Sequence, residues 1–361
     1  MVGLVLKVGA DTGKLVLRKR QSAVKIFEMT AGRPSHPVAA LPGGWSKPIT
    51  EKERQEILKL ADDCLELGKL TLDIFDKVVL QNKGYMELVT GNVYKVVSNY
   101  VGTVDANDKI TYYDGTQKIV DTKGKEIGRF KGKEYLDFIA ERPLPWSYQK
   151  APYLKKLGWK GLDDGDDTSI YTVGPLARFN VASGFDTPLA QEGYEKMLNA
   201  FGGKPVHNTL AFHWMRAIEL MNAAENVKNI ASDESITDTN IRQELGKPVG
   251  EGVGIVEAAR GTLIHHYKTD EKGFVTDANL IVATTHNKGP MNVAVKKAAK
   301  HFIQNGKVDD GILNLVEIAY RPYDLCFACS THTLPGAIPV RIDIVDHKGE
   351  LVKSLRNYEI T

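Results

Sequence analysis

The residues with the clearest chemical potential lie near the C-terminus, in the segment Arg321-Pro-Tyr-Asp-Leu-Cys-Phe-Ala-Cys-Ser-Thr-His332. Two of the three cysteines in the chain, Cys326 and Cys329, lie three residues apart, and His332 follows three residues later. This spacing brings two soft thiolates and one imidazole together on a short stretch of backbone. The pattern is typical of a metal site, so the elements upstream should position further residues around it.

Several kinds of chemistry fit a Cys-x-x-Cys pair that is followed by a histidine. A thiolate pair with an imidazole suits nickel, iron or zinc. A structural zinc site needs four ligands, usually from two such pairs, and here only histidines could complete it. A thioredoxin-like dithiol should open a helix within an alternating strand–helix pattern, whereas Cys326 follows a predicted helix and enters irregular chain. From these residues alone, a metal site, a redox dithiol and an inert pair all remain open.

The composition excludes several classes of function. The 361 residues include 47 basic and 45 acidic side chains, so the charge pattern gives no footprint for nucleic acid. Three cysteines do not make a disulfide framework, and they favour a reducing compartment. The longest apolar runs are far shorter than the ~20 residues that a membrane-spanning helix needs. With no signal-peptide pattern at the N-terminus, the sequence predicts a cytoplasmic protein without a membrane span.

Two other segments carry polar side chains in suggestive places. Arg260 precedes Gly261, which permits close backbone approach, and its guanidinium offers a planar fork of donors. The apolar run at residues 280–283 is predicted to be a strand, and it leads directly into Thr284 and Thr285. A strand that ends in two hydroxyls is a natural hydrogen-bonding wall for a small polar ligand. Considered separately, each of these features is also compatible with a purely structural role.

The hydrophobic periodicity predicts a chain of mixed helix and strand. Helices are predicted from their 3.6-residue pattern, from a capping box at Thr50 and Glu53 and from terminal glycines and prolines. Cys64 lies on the apolar face of one of them, as a small buried hydrophobe. The predicted helices are residues 12–30, 50–81, 134–142, 188–201, 209–230, 291–304 and 310–319. Within residues 85–130, short β-prone runs at 86–89, 93–97 and 110–113 predict strands. Residues 143–167 are predicted to be irregular, and the last residues are predicted to form a β-hairpin.

Four ordered motifs closely resemble those of the large subunit of nickel–iron hydrogenases. The first is the cysteine segment, which the family usually writes Asp-Pro-Cys-x-x-Cys-x-x-His. The others are similar to a Gly/His/Pro segment, an arginine motif and a hydroxyl segment of that family. They read Gly32-Arg-Pro-Ser-His36-Pro with Gly43-Gly44-Trp45, then Glu257-Ala-Ala-Arg260-Gly261-Thr-Leu-Ile-His265-His266, then Ala283-Thr-Thr285-x-Asn287. Gly174-Pro-Leu-Ala-Arg178 is similar as well. The resemblance covers essentially the whole chain and is nearest to the F420-nonreducing, methyl-viologen-reducing branch found in methanogenesis.

The resemblance implies a specific cofactor and a set of ligands. Cys326 would be a terminal nickel thiolate, and Cys329 would bridge nickel and iron. Arg260, with Thr284 and Thr285, would hold the cyanide and carbonyl ligands of the iron. His332 would help to bind a structural magnesium ion. The reaction would be the heterolytic cleavage of H2 or its reverse.

The resemblance also implies partners. Electrons would leave through iron–sulfur clusters of a separate small subunit, with an electron-transfer subunit plus a heterodisulfide reductase as further partners. The fold class would be α+β, a single hydrogenase large-subunit-like domain over residues 1–361. A β-rich insertion would occupy residues 84–170, and a C-terminal extension would occupy residues 333–361.

The chain departs from the family pattern in three places. The family carries a second pair, Arg-x-Cys-Gly-x-Cys, which completes the nickel ligands, and these 361 residues contain no such motif. We therefore expect an N-terminally incomplete large subunit that is active only when that pair is supplied. Leu325 replaces the usual proline, and residues after His332 would be a removed or retained tail. The alternatives are a non-catalytic relative that serves as a structural or electron-transfer subunit, and a zinc-stabilised protein.

Overall fold

A computed structural model describes residues 8–330 and 341–356 of the chain. The N-terminal part is helical, with α1 at Ala10–Ala31 and α2 at Glu51–Phe75, and two short strands, β1 (Ala40–Leu41) and β2 (Gly44–Trp45), pair between them. The capping box at Thr50 and Glu53 opens α2, as predicted. Helix α2 continues into a π-helical turn at Asp76–Leu80 instead of remaining regular to residue 81. Cys64 is buried on α2, as its place in the apolar pattern predicts.

The first β-rich region differs from the prediction in which residues form strands. Residues 86–89, predicted as a strand, belong to helix α3 (Lys83–Thr90), because the Asn82 side chain accepts from the Tyr85 amide and caps the helix. The strands are instead β3 (Asn99–Val104), β4 (Thr116–Val120) and β5 (Glu126–Phe130), which pair antiparallel in order. Runs at 93–97 and 110–113 contribute only isolated bridges.

A β-hairpin follows where a helix and irregular chain were predicted. Helix α4 is only one turn long, Tyr135–Phe138, and β6 (Ile139–Leu144) begins directly after it. Strand β7 (Ser147–Leu154) pairs antiparallel with β6. The predicted helix over 134–142 is therefore right only at Tyr135–Phe138, and the predicted irregular stretch over 143–167 is right only over residues 158–167, because cross-strand pairing outweighs local propensity in between. We name Ile139–Leu154 the clamp hairpin, because one of its side chains contacts the short helix that carries Thr284 and Thr285, which is described below.

The central core is helical and packs against the sheet. Strand β8 (Tyr171–Thr172) joins β3 in parallel and gives the four-stranded order β5-β4-β3-β8. Helices α5 (Pro175–Val181), α6 (Pro188–Phe201) and α7 (Ala211–Ser232) follow, and α6 has the predicted limits. Every residue of α5 is buried. Since α5 lies against both β3 and α7, it is the point at which the sheet and the helices meet.

The C-terminal part contains a second sheet and four helices, the last of which lies in the cysteine segment. Strands β9 (Glu251–Ala258), β10 (Gly261–Thr269) and β11 (Val275–Ile281) form an antiparallel sheet with β10 in the centre. Helices α8 (Ala283–His286), α9 (Lys288–Phe302), α10 (Asp310–Ile318) and α11 (Phe327–Ser330) follow. Strands β12 (Arg341–Val345) and β13 (Leu351–Arg356) form the predicted C-terminal hairpin.

The architecture is α+β, in agreement with the predicted fold class. Among the residues that the structure describes, no helix is both long and apolar enough to cross a lipid bilayer. The division into one domain with an insertion over 84–170 and an extension from 333 stays a prediction.

Candidate metal centre

The cysteine segment is a tight turn that leads into a short helix. After α10 the chain makes a 3₁₀ turn at Arg321–Tyr323, and Asp324 adopts a left-handed conformation with φ of +50°. Cys326 then precedes α11, which contains Cys329, so the segment is not the irregular chain that was expected. A disulfide joins Cys326 and Cys329, whose Cα atoms are 5.4 Å apart. Reduction would present two thiols on one turn, with Cys329 exposed and Cys326 half-buried.

Arg260 reaches this segment from the turn between β9 and β10. Its Nε–H donates to the backbone carbonyl of Asp324, and Nε lies 3.2 Å from the Asp324 carboxylate. The two side chains remain 42% and 48% exposed, so the guanidinium lies at an open edge rather than in the core. Arg260 thus contacts the segment that contains the cysteines, although 66 or more residues separate them in sequence.

Thr284 and Thr285 lie in the single turn of α8 and face the segment from the other side. The Cys326 amide donates to the Thr284 hydroxyl over 3.1 Å, and Thr284 is buried. Thr285 is also buried, and it lines a cavity of about 250 Å³ together with Ser330 and Glu141. These hydroxyls are placed by a short helix, and not by the end of a strand, because β11 already ends at Ile281.

Arg178 holds the backbone from which Arg260 projects. Its side chain is completely buried, and all five of its N–H groups are used. Nε and Nη2 bind the Glu219 carboxylate at 2.6 and 2.8 Å, and Nη1 binds Glu257 at 2.5 Å. The remaining two bonds reach the carbonyls of Ala258 and Ala259 at 3.1 and 3.2 Å. Burial opposes the cation, but the two carboxylates hold the pKa of Arg178 well above its usual value.

Close backbone approach fixes the same turn from a second direction. A Cβ on Gly174 would lie 2.5 Å from the Arg260 carbonyl oxygen, and the φ of Gly174 is +98°. Gly261 has a φ of +137°, and a Cβ there would lie 2.5 Å from a methyl of Val173. The Asn287 side chain binds both the amide and the carbonyl of Val173, at 2.9 and 3.2 Å. The turn that carries Arg260 and the chain just after α8 are therefore both held against the backbone at Val173 and Gly174.

Two further contacts, one to the cysteine segment and one to helix α8 beside it, were not visible in the sequence. The Arg216 side chain on α7 donates to the Pro322 carbonyl at 2.7 Å. The Gln149 side chain on β7 donates to the Thr284 carbonyl at 3.0 Å. Arg178 had a sequence signal, since it ends the Gly174-Pro-Leu-Ala-Arg178 motif, whereas no motif marked Arg216 or Gln149.

The paired histidines do not form a metal site with each other. They point to opposite faces of β10, as expected for neighbours on a strand. His266 is bonded on one side to the Tyr135 hydroxyl and on the other to Glu251, each at 2.9 Å. His332 lies outside the described residues.

The donors present fit a thiolate-ligated metal in type and spacing but provide only two sulfurs. Cys326 and Cys329 are soft donors, and a chelating pair on one turn suits nickel or iron. Among residues 8–330 and 341–356, no group of three or more His, Cys, Asp or Glu side chains is placed to hold a metal ion. The third cysteine, Cys64, is buried on α2 in an apolar cluster, and desolvation by burial raises its pKa.

Comparison with known proteins agrees with this chemistry. The model of the nickel-dependent hydrogenase family matches residues 74–332. An F420-non-reducing hydrogenase iron-sulfur subunit of Archaeoglobus profundus is 59% identical over 99% of this chain and 74% of that protein. The beta subunit of the NAD-reducing hydrogenase HoxS of Cupriavidus necator is 33% identical over 98% of this chain and 71% of that protein. A crystal structure of an NAD⁺-reducing [NiFe]-hydrogenase in the H2-reduced state superposes with a TM-score of 0.82, at 31% identity over 92% of this chain and 71% of that chain.

The chain belongs to the nickel-dependent hydrogenase family, in which it is the large, catalytic subunit of a nickel–iron hydrogenase. Its class is therefore that of an oxidoreductase acting on hydrogen, and the family predicted from the four motifs is confirmed. The chain spans about three-quarters of the length of the Archaeoglobus relative, which it matches over 74%.

Proposed function

We propose that Cys326 and Cys329 supply two thiolate ligands of the nickel–iron centre of an F420-nonreducing hydrogenase. The observation that carries this proposal is the meeting of three distant segments. Arg260 binds Asp324, and Thr284 receives the Cys326 amide at 3.1 Å, so both predicted companions touch the segment that holds the cysteines. When bound, the centre would supply the heterolytic cleavage of H2.

The side chains around the cysteines are suited to hold small ligands of the iron. A hydroxyl has one donor and two acceptor positions. Because Thr284 accepts from the Cys326 amide, its own proton can be donated to a cyanide or carbonyl ligand. Arg260 uses Nε for Asp324 and has further N–H donors in its fork. Thr285 would donate from the cavity it shares with Ser330.

The remaining ligands and partners are also part of the proposal. Two sulfurs leave metal positions open, so we propose that the other thiolates lie outside these 361 residues. His332 would help to hold a magnesium ion. Electrons would pass first to an iron–sulfur small subunit, then to an electron-transfer subunit, and finally to heterodisulfide reductase, within a cytoplasmic complex that serves methanogenesis.

The test is a measurement of metal bound to the protein. The chain is produced together with the polypeptides encoded beside it and the maturation factors, and nickel and iron are measured by mass spectrometry. Cys326→Ser and Cys329→Ser should each remove at least nine-tenths of the nickel. Cys64→Ala is the matched control, because it removes a buried cysteine on α2 and should leave the nickel unchanged.

Other outcomes would contradict the proposal in distinguishable ways. Nickel and iron that persist in both serine variants would show that the metals bind elsewhere. Zinc without nickel or iron would indicate a structural zinc site. Metal-free protein, with cellular hydrogenase activity unaffected by the two substitutions, would indicate a non-catalytic subunit.

A further inference from the structure

We infer that Gln149 is a positioning residue for the cysteine segment, acting through Thr284. Its side-chain amide donates to the Thr284 carbonyl at 3.0 Å, and the Thr284 hydroxyl accepts from the Cys326 amide at 3.1 Å. The two bonds form a short chain from the clamp hairpin to the first cysteine. The inference deepens the proposed function and rests on it, because it names what holds Cys326 in place for metal.

The pairing of the clamp hairpin is irregular beside Gln149. Arg142 pairs with Ala151 and Leu144 with Ser147, so Pro143 alone lies opposite residues 148–150. Proline has no amide proton for the ladder, and the extra residues on β7 bulge at this position. Bulges redirect side chains and are frequent beside active sites.

The direction of the neighbouring side chains supports this interpretation. Gln149 is buried, whereas Tyr148 and Lys150 on either side of it are exposed. Tyr148 and Lys150 line the cavity shared with Thr285. Gln149 lines a separate groove of about 430 Å³ that also contains Leu325. The same strand therefore lines two cavities, each of which also includes a residue of the cysteine segment, Leu325 in one and Ser330 in the other.

A second contact joins the hairpin to α9, the helix that follows α8 in the chain. The ammonium group of Lys288, at the start of α9, lies 4.6 Å from the ring centre of Trp146 in the hairpin turn. Such cation–π contacts contribute modestly at exposed positions. With the tip held at Lys288, the buried amide of Gln149 is aimed at one carbonyl, that of Thr284.

A purely structural role for Gln149 makes a different prediction from a positioning role. If Gln149 only docks the hairpin, its loss should weaken many hydrogen bonds of the molecule together. If it positions Thr284, its loss should act mainly on the Cys326 amide. An unmet buried carbonyl costs enough to raise local opening about tenfold.

The experiment is hydrogen–deuterium exchange of the full chain, with and without reduction of the disulfide. In Gln149→Met, which keeps the side-chain length but removes the donor, the Cys326 amide should exchange about tenfold faster. Amides within α2 should keep their rates. Lys150→Met, the adjacent and exposed position on the same strand, is the matched control and should change neither.

A double-mutant cycle makes the result decisive. Thr284→Val should also speed exchange at Cys326, and the double variant with Gln149→Met should be no faster than Thr284→Val alone, because the two residues act in series. An unchanged Cys326 rate in Gln149→Met would overturn the inference, as would an equal acceleration of all amides. Because exchange is measured without metal, loss of the proposed nickel site would leave this test intact.

Discussion

The Arg178 cluster and the cysteine segment lie on two sides of the turn between β9 and β10. They differ in how many of their polar groups have hydrogen-bond partners within this chain. Every N–H of Arg178 has a partner within the chain, and its two carboxylates are buried with it. Arg260, only one residue beyond the Ala259 carbonyl that Arg178 holds, is half-exposed. The supporting cluster is therefore buried and fully paired, whereas the candidate site beside it is exposed to solvent.

The difference teaches where stability and function reside. A buried ion network is costly to break, because each lost partner leaves a charge without solvent. Exposed pairs contribute little to folding. We therefore expect substitutions in the Arg178 cluster to lower the free energy of unfolding strongly, and substitutions in the cysteine segment to leave the protein folded but unable to hold metal.

The largest effect should come from Arg178→Met. It leaves the Glu219 and Glu257 carboxylates buried without their cation, so we expect the free energy of unfolding to fall by about 3–5 kcal/mol, measured by urea denaturation. Arg129→Met is the matched control, because Arg129 pairs with Asp108 and Glu126 while 35% exposed. It should cost at most about 1 kcal/mol. Equal losses in the two variants would remove the distinction between the regions.

Gly174→Ala tests the junction between the two regions. The new methyl would meet the Arg260 carbonyl, and a φ of +98° strains any side chain, so we expect a loss of about 2–3 kcal/mol in unfolding free energy. Gly202→Ala is a matched control, because Gly202 has a φ of +69° with nothing within 4 Å of its Cβ. That variant should lose only about 1–2 kcal/mol, from backbone conformation alone. A smaller loss at Gly174 than at Gly202 would mean that the turn can shift freely.

His286 provides a pH-dependent test of the support. It is fully buried next to the Tyr171 hydroxyl, and burial lowers its pKa from 6.5 to about 3. Between these two pH values, the unfolded chain therefore binds a proton on His286 that the folded chain does not bind. The contribution of His286 to the free energy of unfolding is fully present above pH 6.5. It is lost as the pH falls towards 3, by at most about 1.4 kcal/mol per pH unit.

The measurement is urea denaturation at about pH 7, 6 and 5, which spans the start of this loss. His286→Phe should flatten the difference between these pH values, although it also lowers the stability at neutral pH by leaving the Tyr171 hydroxyl unpaired. The exposed His301 is the control position, and His301→Gln should leave the slope as it is. An unchanged slope in His286→Phe would place the responsible proton elsewhere.

The sequence predicted the features that depend on local pattern. The helix at Pro188–Phe201 follows from its starting proline and closing glycine, and α2 follows from its capping box. Cys326, Arg260 and Thr284 were predicted as candidates because they lie in motifs, and in the structure Arg260 and Thr284 each contact the cysteine segment. The strands were predicted less well, because their formation depends on partners remote in sequence.

The contacts that hold the site could not be predicted for the same reason. Gln149 meets Thr284 across 135 residues, and Arg216 meets Pro322 across 106. Neither contact leaves a periodicity or a spacing in the sequence, because it depends on how two elements approach in the fold. The Asn82 cap is a local signal that the sequence contains, but the β-prone residues that follow it favoured the prediction of a strand.

The smallest effect on stability should come from Arg260→Met, and this variant most sharply separates the two regions. Its ion pair with Asp324 is half-exposed, so the unfolding free energy should change by less than about 1 kcal/mol. Nickel and iron content should nevertheless fall, because the donors that would hold the ligands of the iron are lost. Arg260→Lys keeps the charge but not the planar fork, and it should restore little metal. If Arg260→Met destabilised the protein as much as Arg178→Met, the exposed edge would contribute to folding as the buried cluster does. If the variant retained its full nickel and iron, Arg260 would have no part in the centre.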